Sequence, residues 1–154
     1  MKPQFCHFSP PNRPGLIEAI NNVCGEGHWM RTPRFQPTPA WTHALDDPGC
    51  PHHLLLVAKY IDHIIGWCRL FPQDESTVTL GVGLLAPYRD QGIGTGLVRQ
   101  ALQWAWSAGL ERVCLTTRPD NARAIHVFTS CGFHLTGRSH NGSLEMAHKR
   151  PSHS

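Results

Sequence analysis

Leu84-Leu85-Ala86-Pro87-Tyr88-Arg89-Asp90-Gln91-Gly92-Ile93-Gly94-Thr95-Gly96-Leu97 runs from an apolar strand end through a proline-containing turn into the start of a helix. Upstream, Thr77 to Leu85 reads as a strand. Downstream, Leu97, Val98, Ala101, Leu102, Ala105 and Ala108 keep a helical period, and Gly109 is placed as the left-handed residue past the helix end. Gly92, Gly94 and Gly96 therefore fall where the first backbone N–H groups of a helix have no partner within it. Absent side chains let an anion approach that backbone, and the helix dipole adds roughly half a unit of positive charge there. Taken alone, the glycines are read equally well as the means of a tight strand-to-helix turn.

Two nucleotide-binding motifs are excluded by the neighbouring residues. A dinucleotide fingerprint needs a small residue where Leu97 stands, and a Walker A loop needs a lysine, of which there is none between Tyr60 and His148.

Working outward, Leu54 to Tyr60 and Ile64 to Phe71 read as an antiparallel hairpin, which Thr77 to Leu85 extends into a meander. Before them, Leu16, Ile17, Ile20, Val23 and Cys24 form the apolar face of a first helix, with Pro14 and Gly15 at its start. The connection from Arg31 to Pro51 is rich in proline and predicts an ordered loop with one short helix near Ala40 to Leu45. After Gly109, Val113 to Thr117 is a strand, Asp120 or Asn121 caps a helix running to Cys131, and Gly132 ends it. Strands His134 to Ser139 and Ser143 to His148, joined by Asn141-Gly142, complete the chain as a hairpin. The class is mixed α and β, with parallel and antiparallel pairs in one sheet.

The 154 residues suit one domain, with its core expected over about 15–149. Fourteen basic against eleven acidic residues leave a formal charge of +3, without the basic stripe used on nucleic acid, so no nucleic-acid partner is expected. No run approaches the roughly 20 apolar residues that cross a bilayer, and residues 1–6 lack a signal-peptide core, so no membrane partner and a cytoplasmic location are expected. The six cysteines are widely spaced, which favours thiols over a disulfide framework. Cys50, His52 and His53 crowd together, but adjacent histidines at a strand start point to opposite faces, so a surface loop and no metal is the expectation.

With these elements in place, the chain resembles the GCN5-related N-acetyltransferase (GNAT) superfamily. Arg89, Gly92 and Gly94 meet its Arg/Gln-x-x-Gly-x-Gly/Ala signature, and Asn121-Ala122-Arg123-Ala124-Ile125 through Ser130-Cys131-Gly132-Phe133 resembles its second conserved block. The resemblance implies a central, mostly antiparallel mixed sheet flanked by helices, and transfer of the acetyl group of acetyl-CoA directly to the primary amine of a small molecule, amino acid or peptide. It implies that backbone amides of Asp90, Gln91, Gly92, Ile93, Gly94 and Thr95 hold the coenzyme A pyrophosphate, with Arg89 shaping the loop. It also implies that Gly83, Leu84 and Leu85 form a bulged strand end pairing with the pantetheine arm. Asn121 takes the cofactor-contacting asparagine position, where a plain helix cap is the equal alternative. Family members are often homodimers.

The resemblance departs at Phe128, which stands where the family's proton-donating tyrosine is expected and cannot donate a proton. A noncatalytic acyl-CoA binding module is therefore the alternative function. No general base is assigned: Asp74, Glu75, Glu145, His126 and His134 read as turn, hairpin or surface residues, Thr116 stands where some relatives carry a carboxylate, and Cys131 fits helix-end packing. The acceptor is sought near the proline-rich segment, where Trp29, Met30, Phe35 and Trp41 offer an apolar wall and Arg31 and Arg34 offer carboxylate recognition; core aromatics and solvated arginines are the alternative.

Overall fold

The computed structural model describes residues 2–27 and 34–151. Seven strands form one sheet in the order β1-β2-β3-β4-β5-β7-β6. They are β1 Gln4–His7, β2 Leu54–Tyr60, β3 His63–Pro72, β4 Thr77–Leu84, β5 Arg112–Thr117, β6 His134–His140 and β7 Ser143–Lys149. The helices are α1 Arg13–Gly25, α2 Pro39–Asp46, α3 Ile93–Ser107 and α4 Ala122–Ser130. Every pair is antiparallel except β4 with β5, which α3 connects as a crossover.

Local chemistry sets most boundaries. α1 buries Leu16, Ala19, Ile20, Val23 and Cys24, the stripe that a 3.6-residue period produces. Thr38 caps α2 by accepting from the Trp41 N–H at 3.3 Å, with Pro39 in the first turn. α3 and α4 both stop at left-handed glycines, Gly109 at φ 85° and Gly132 at φ 102°. In each case an amide beyond the glycine bonds back into the helix, Leu110 to the Ala105 carbonyl and Phe133 to the Phe128 carbonyl, both at 3.0 Å. Asn141 and Gly142, at φ 49° and 83°, make the β6–β7 turn in the doubly left-handed form that the strand twist favours.

The two faces of the sheet bury separate cores. Leu56, Cys68, Leu70, Val78 and Leu80 pack under α3, whose Leu97, Val98 and Ala101 are fully buried. On the other face Leu55, Val57 and Trp67 meet the apolar stripe of α1, with Ala44 and Leu45 of α2.

Two expectations need correction. The folded core starts well before residue 15: β1 pairs with β2 from Gln4↔Lys59 to His7↔Leu56, and Phe8 is buried. Four residues without clear alternation carry little strand signal of their own. The expected bulge at Gly83, Leu84 and Leu85 is also absent from the β3–β4 ladder, whose register runs unbroken from Gly66↔Leu84 to Pro72↔Val78. An irregularity does lie one strand away, between β2 and β3 at Ala58/Lys59, where β3 carries an extra residue.

Candidate functional site

The site begins as a gap in the sheet. β4 and β5 pair only from Thr77↔Arg112 to Thr79↔Cys114, whereas β3 follows β4 to Leu84 and β7 follows β5 to Thr117. The Leu85 N–H bonds the Ile65 carbonyl at 2.8 Å and the Gln73 N–H bonds the Thr77 carbonyl at 2.9 Å, so odd-numbered β4 residues direct their backbone polar groups at β3. Antiparallel alternation then turns those of Val82 and Leu84 into the gap. Leu84 confirms the direction, because its carbonyl accepts from Arg89 Nε at 3.0 Å.

Arg89 holds the gap to the turn beside it. Besides reaching Leu84, its guanidinium meets Glu26, at the end of α1, through two bonds of 2.8 and 2.7 Å. Arg89 is 13% exposed and Glu26 27%, so this fork is shielded and ties α1 to the glycine loop. Gln91 Nε2 donates to the Pro87 carbonyl at 3.0 Å, and Asp90, at φ 64°, accepts from Arg123 Nε of α4 at 3.0 Å. Gly92 is the N-cap of α3 at φ 81°, and Ile93 is buried beneath it.

The glycines divide into two kinds. A Cβ on Gly92 or Gly94 would meet nothing within 4 Å, so both face open space at the mouth of the gap. A Cβ on Gly96 would lie 2.7 Å from the Phe5 ring; this glycine makes room for β1, and its N–H bonds the Gly92 carbonyl at 3.0 Å. Gly83 is also a packing glycine: a Cβ there would lie 2.3 Å from the Trp67 ring.

One cleft of about 1330 Å³ joins Gly83, Leu84, Arg89, Asp90, Gly92, Gly94, Thr95, Asn121 and Phe128. Asn121 lines it and caps α4, accepting from the Ala124 N–H at 3.2 Å, so the two readings of this residue coexist. Phe128 is 5% exposed and meets Phe133 edge-on at 5.8 Å. Leu85 is half-buried behind Leu84 against both cores, and Gln91 is exposed at the loop; neither lines the cleft.

Candidate proton carriers are mostly outside the cleft. Asp74 is committed to its turn, accepting from the Ser76 and Thr77 amides at 2.9 Å; the bond from Ser76 is the main cause that lowers its pKa. Glu145, expected at a surface or edge, is buried between Arg112 at 3.8 Å and His140 at 3.4 Å. Glu75 and His134 are exposed away from the cleft, while Thr116 and His126 line it. Burial raises the Cys131 pKa and its thiol donates to the Thr95 carbonyl at 3.9 Å, so it is no activated nucleophile.

The same cleft is lined by Phe35, Trp41, Trp67, Arg69 and Phe71. Phe35 and Trp41 meet edge-on at 5.6 Å, giving part of the expected apolar wall. Trp29, Met30 and Arg31 lie outside the described residues, and Arg34 is exposed and does not line the cleft. Sequence reasoning missed Arg69. The signal was a single charge in the alternating strand Trp67-Cys68-Arg69-Leu70-Phe71, which places Arg69 on the face of Trp67 and Phe71.

The crowded Cys50 and His53 gain a third donor-bearing neighbour from α2: one ligand-type atom each of His43, Cys50 and His53 lies within 4.8 Å of the others. His52 is not among them. His53 also feels Arg69: burial is the main cause lowering its pKa, and the charges of His43 and Arg69 add to it. The same field disfavours a cation at this point.

A mixed sheet opened at its one parallel pair, with a glycine-capped helix at the mouth, is the acyl-CoA acyltransferase architecture. The acetyltransferase of GNAT family from Streptococcus pneumoniae superposes with a TM-score of 0.84 at 18% identity, over 97% of this chain and 100% of that one. The yncA protein of Salmonella typhimurium, solved with its cofactor acetyl-CoA, gives 0.83 at 15% identity, over 100% of this chain and 97% of that one. In sequence, the Acetyl transferase GW6a of Oryza sativa subsp. japonica is 31% identical over 96 residues, which cover 51% of this chain and 23% of the rice protein. The model of the Acetyltransferase (GNAT) family matches residues 17–133, and the chain belongs to that family.

Proposed function

We propose that the chain is an N-acetyltransferase that moves the acetyl group of acetyl-CoA directly to a primary amine. The observation that carries this reading is one cleft in which the outward-turned backbone of Val82 and Leu84 and the glycine-capped start of α3 stand side by side. Family membership and the acetyl-CoA bound to the Salmonella neighbour support the donor.

The residues present suit such a donor. Unpartnered first-turn amides of α3, with nothing beyond Gly92 and Gly94 to block approach, form an anion cradle for a pyrophosphate. Backbone groups of Val82 and Leu84 offer the strand-like pairing that an extended amide-bearing arm requires, and an N–H there can polarise a carbonyl oxygen. Asn121 and Phe128 line the same cleft. When bound, acetyl-CoA supplies an electrophilic acyl carbon and a thiolate leaving group.

The chain's own contribution is chiefly alignment. The amine nitrogen forms a bond to the acyl carbon as the carbon–sulfur bond breaks; the electron pair leaves on sulfur and the amine proton passes to solvent. Holding two reactants in attack geometry removes several kcal/mol from such a barrier. Phe128 cannot protonate the sulfur, and a thiol of pKa about 8.5 leaves without obligatory help. Asp90 is the acidic residue among those described that line the cleft, and Arg123 holds it, so the reading assigns no carboxylate as general base.

Phe128 also motivates the second reading, a noncatalytic acyl-CoA binding module. Measuring thiol release from acetyl-CoA across a panel of amines separates the two. Turnover on any amine supports the enzyme; saturable acetyl-CoA binding with no turnover on the whole panel overturns it.

A further inference from the structure

Arg69 lies across β4 at its partner Gly81, where a Cβ would sit 3.6 Å from both Arg69 Cγ and Nε. Its guanidinium carbon stands 4.1 Å from the Trp41 ring centroid and 4.4 Å from that of Phe71. Two rings cover the guanidinium where it stacks, and they accept none of its N–H bonds. Nη1 is buried and has no hydrogen-bond partner among the described residues. Burial pulls its pKa down to about 10, so the group stays charged at neutral pH, and no carboxylate among the described residues opposes the shift.

The contrast with Arg89 is instructive, because both arginines line the same cleft. Arg89 is neutralised by the two carboxylate oxygens of Glu26. Arg69 lines the cleft and, among the described residues, has no such partner, and the sequence of residues 28–33 contains no Asp or Glu. A buried cation is retained at a cost unless an anion meets it. The structure holds the side chain in place with Trp41 and Phe71 while leaving that anion to come from outside.

We infer that Arg69 anchors the carboxylate of the acceptor, and that the acceptor is a small free amino acid whose amine and carboxylate lie close together. Gly81 is the residue before Val82 in β4, and strands rise about 3.3 Å per residue. The anchor therefore stands roughly 3–10 Å along the strand from the Val82 and Leu84 backbone that faces the acyl group. That span fits one amino acid and leaves the distant carboxylate of a long peptide unmatched. This inference rests on the acetyl-transfer reading and narrows its substrate.

The test uses pairs of L-amino acids and their carboxamides as acceptors for the intact protein. A charge-assisted guanidinium–carboxylate contact predicts a kcat/KM for the acid about 10- to 100-fold above that of the amide, expressed mainly in KM. R69Q collapses that ratio toward one, while R69K, which keeps the charge and loses the planar fork, leaves an intermediate ratio. Amides acetylated as well as acids by the wild-type protein overturn the inference, with no variant needed. Binding of N-acetyl amino acids and their amides to the coenzyme A-loaded protein, read by calorimetry, separates this outcome from failure of acetyl transfer itself. Tighter binding of the acid supports the anchor even if no acceptor turns over, and equal affinity refutes it.

Discussion

Replacing Gly94 with leucine should make the protein slightly more stable and much worse at holding coenzyme A. Gly94 is the second residue of α3, after the N-cap Gly92 and Ile93, and its Cβ would meet nothing within 4 Å. A helical glycine costs about 0.5–1 kcal/mol relative to residues with a side chain, so the fold should gain up to that amount. For a domain of this size about 1 kcal/mol corresponds to roughly 2–4 °C in Tm. The same open space is the approach to the first-turn amides, and a leucine there shields them. Loss of one charge-assisted hydrogen bond, about 1.5–3 kcal/mol, weakens the coenzyme A Kd by about 10- to 150-fold. Gly92 is a poorer place for this test, because its φ of 81° would itself cost a side chain about 1–2 kcal/mol. Calorimetric titration with coenzyme A and a thermal melt of the unliganded protein read the two effects separately. An unchanged Kd with an intact melt would refute the assignment of this helix start to the pyrophosphate.

Gly83→Ala should destabilise the fold by about 1–3 kcal/mol in urea unfolding, because the new Cβ enters the Trp67 ring at 2.3 Å and the buried ring has little room to retreat. Phe128→Tyr should keep the fold and not lower thiol release from acetyl-CoA; a marked loss would show that the phenylalanine itself shapes the pocket. The third expectation concerns pH. His148 packs against Trp106 at 5.3 Å and Phe133 at 5.6 Å, and burial is the main cause that lowers its pKa in the folded state. The unfolded chain therefore takes up the proton first as pH falls, and stability should drop once pH passes below the unfolded value of about 6.5. Urea midpoints between about pH 8 and pH 5.5 should show that drop, and His148→Gln should lessen it, the remainder belonging to His53, whose pKa burial also lowers.

Signals that act over a few residues were legible without coordinates. The periods of α1 and α3, the left-handed glycines after α3 and α4, and the Asn141-Gly142 turn depend on bonds and contacts within about one helical turn or one hairpin loop. That a helix start leaves its first amides unpaired is local in the same way, and the anion-binding role proposed for Gly92 and Gly94 rests on it. β1 was not legible: its four residues become a strand because β2 offers an edge and Gly96 offers a notch for Phe5. The candidate site was half legible for the same reason. Residue types around the glycine loop pointed to the cleft now proposed for the cofactor, while Arg89 meets Glu26 across 63 positions and Arg69 meets Trp41 only because α2 packs over β3.

What the amino-acid order alone determined, then, is the succession of elements and the chemistry at their ends. Whether neighbouring strands stay paired is a different matter, since β4 and β5 separate after Thr79 and Cys114 while each stays paired along its other edge, with β3 and β7. That separation, which leaves the Val82 and Leu84 backbone facing a gap, and the seating of Arg69 beside it with no carboxylate partner among the described residues were decided only by tertiary structure. Both arise from contacts between residues far apart in the chain, and no local periodicity encodes such contacts.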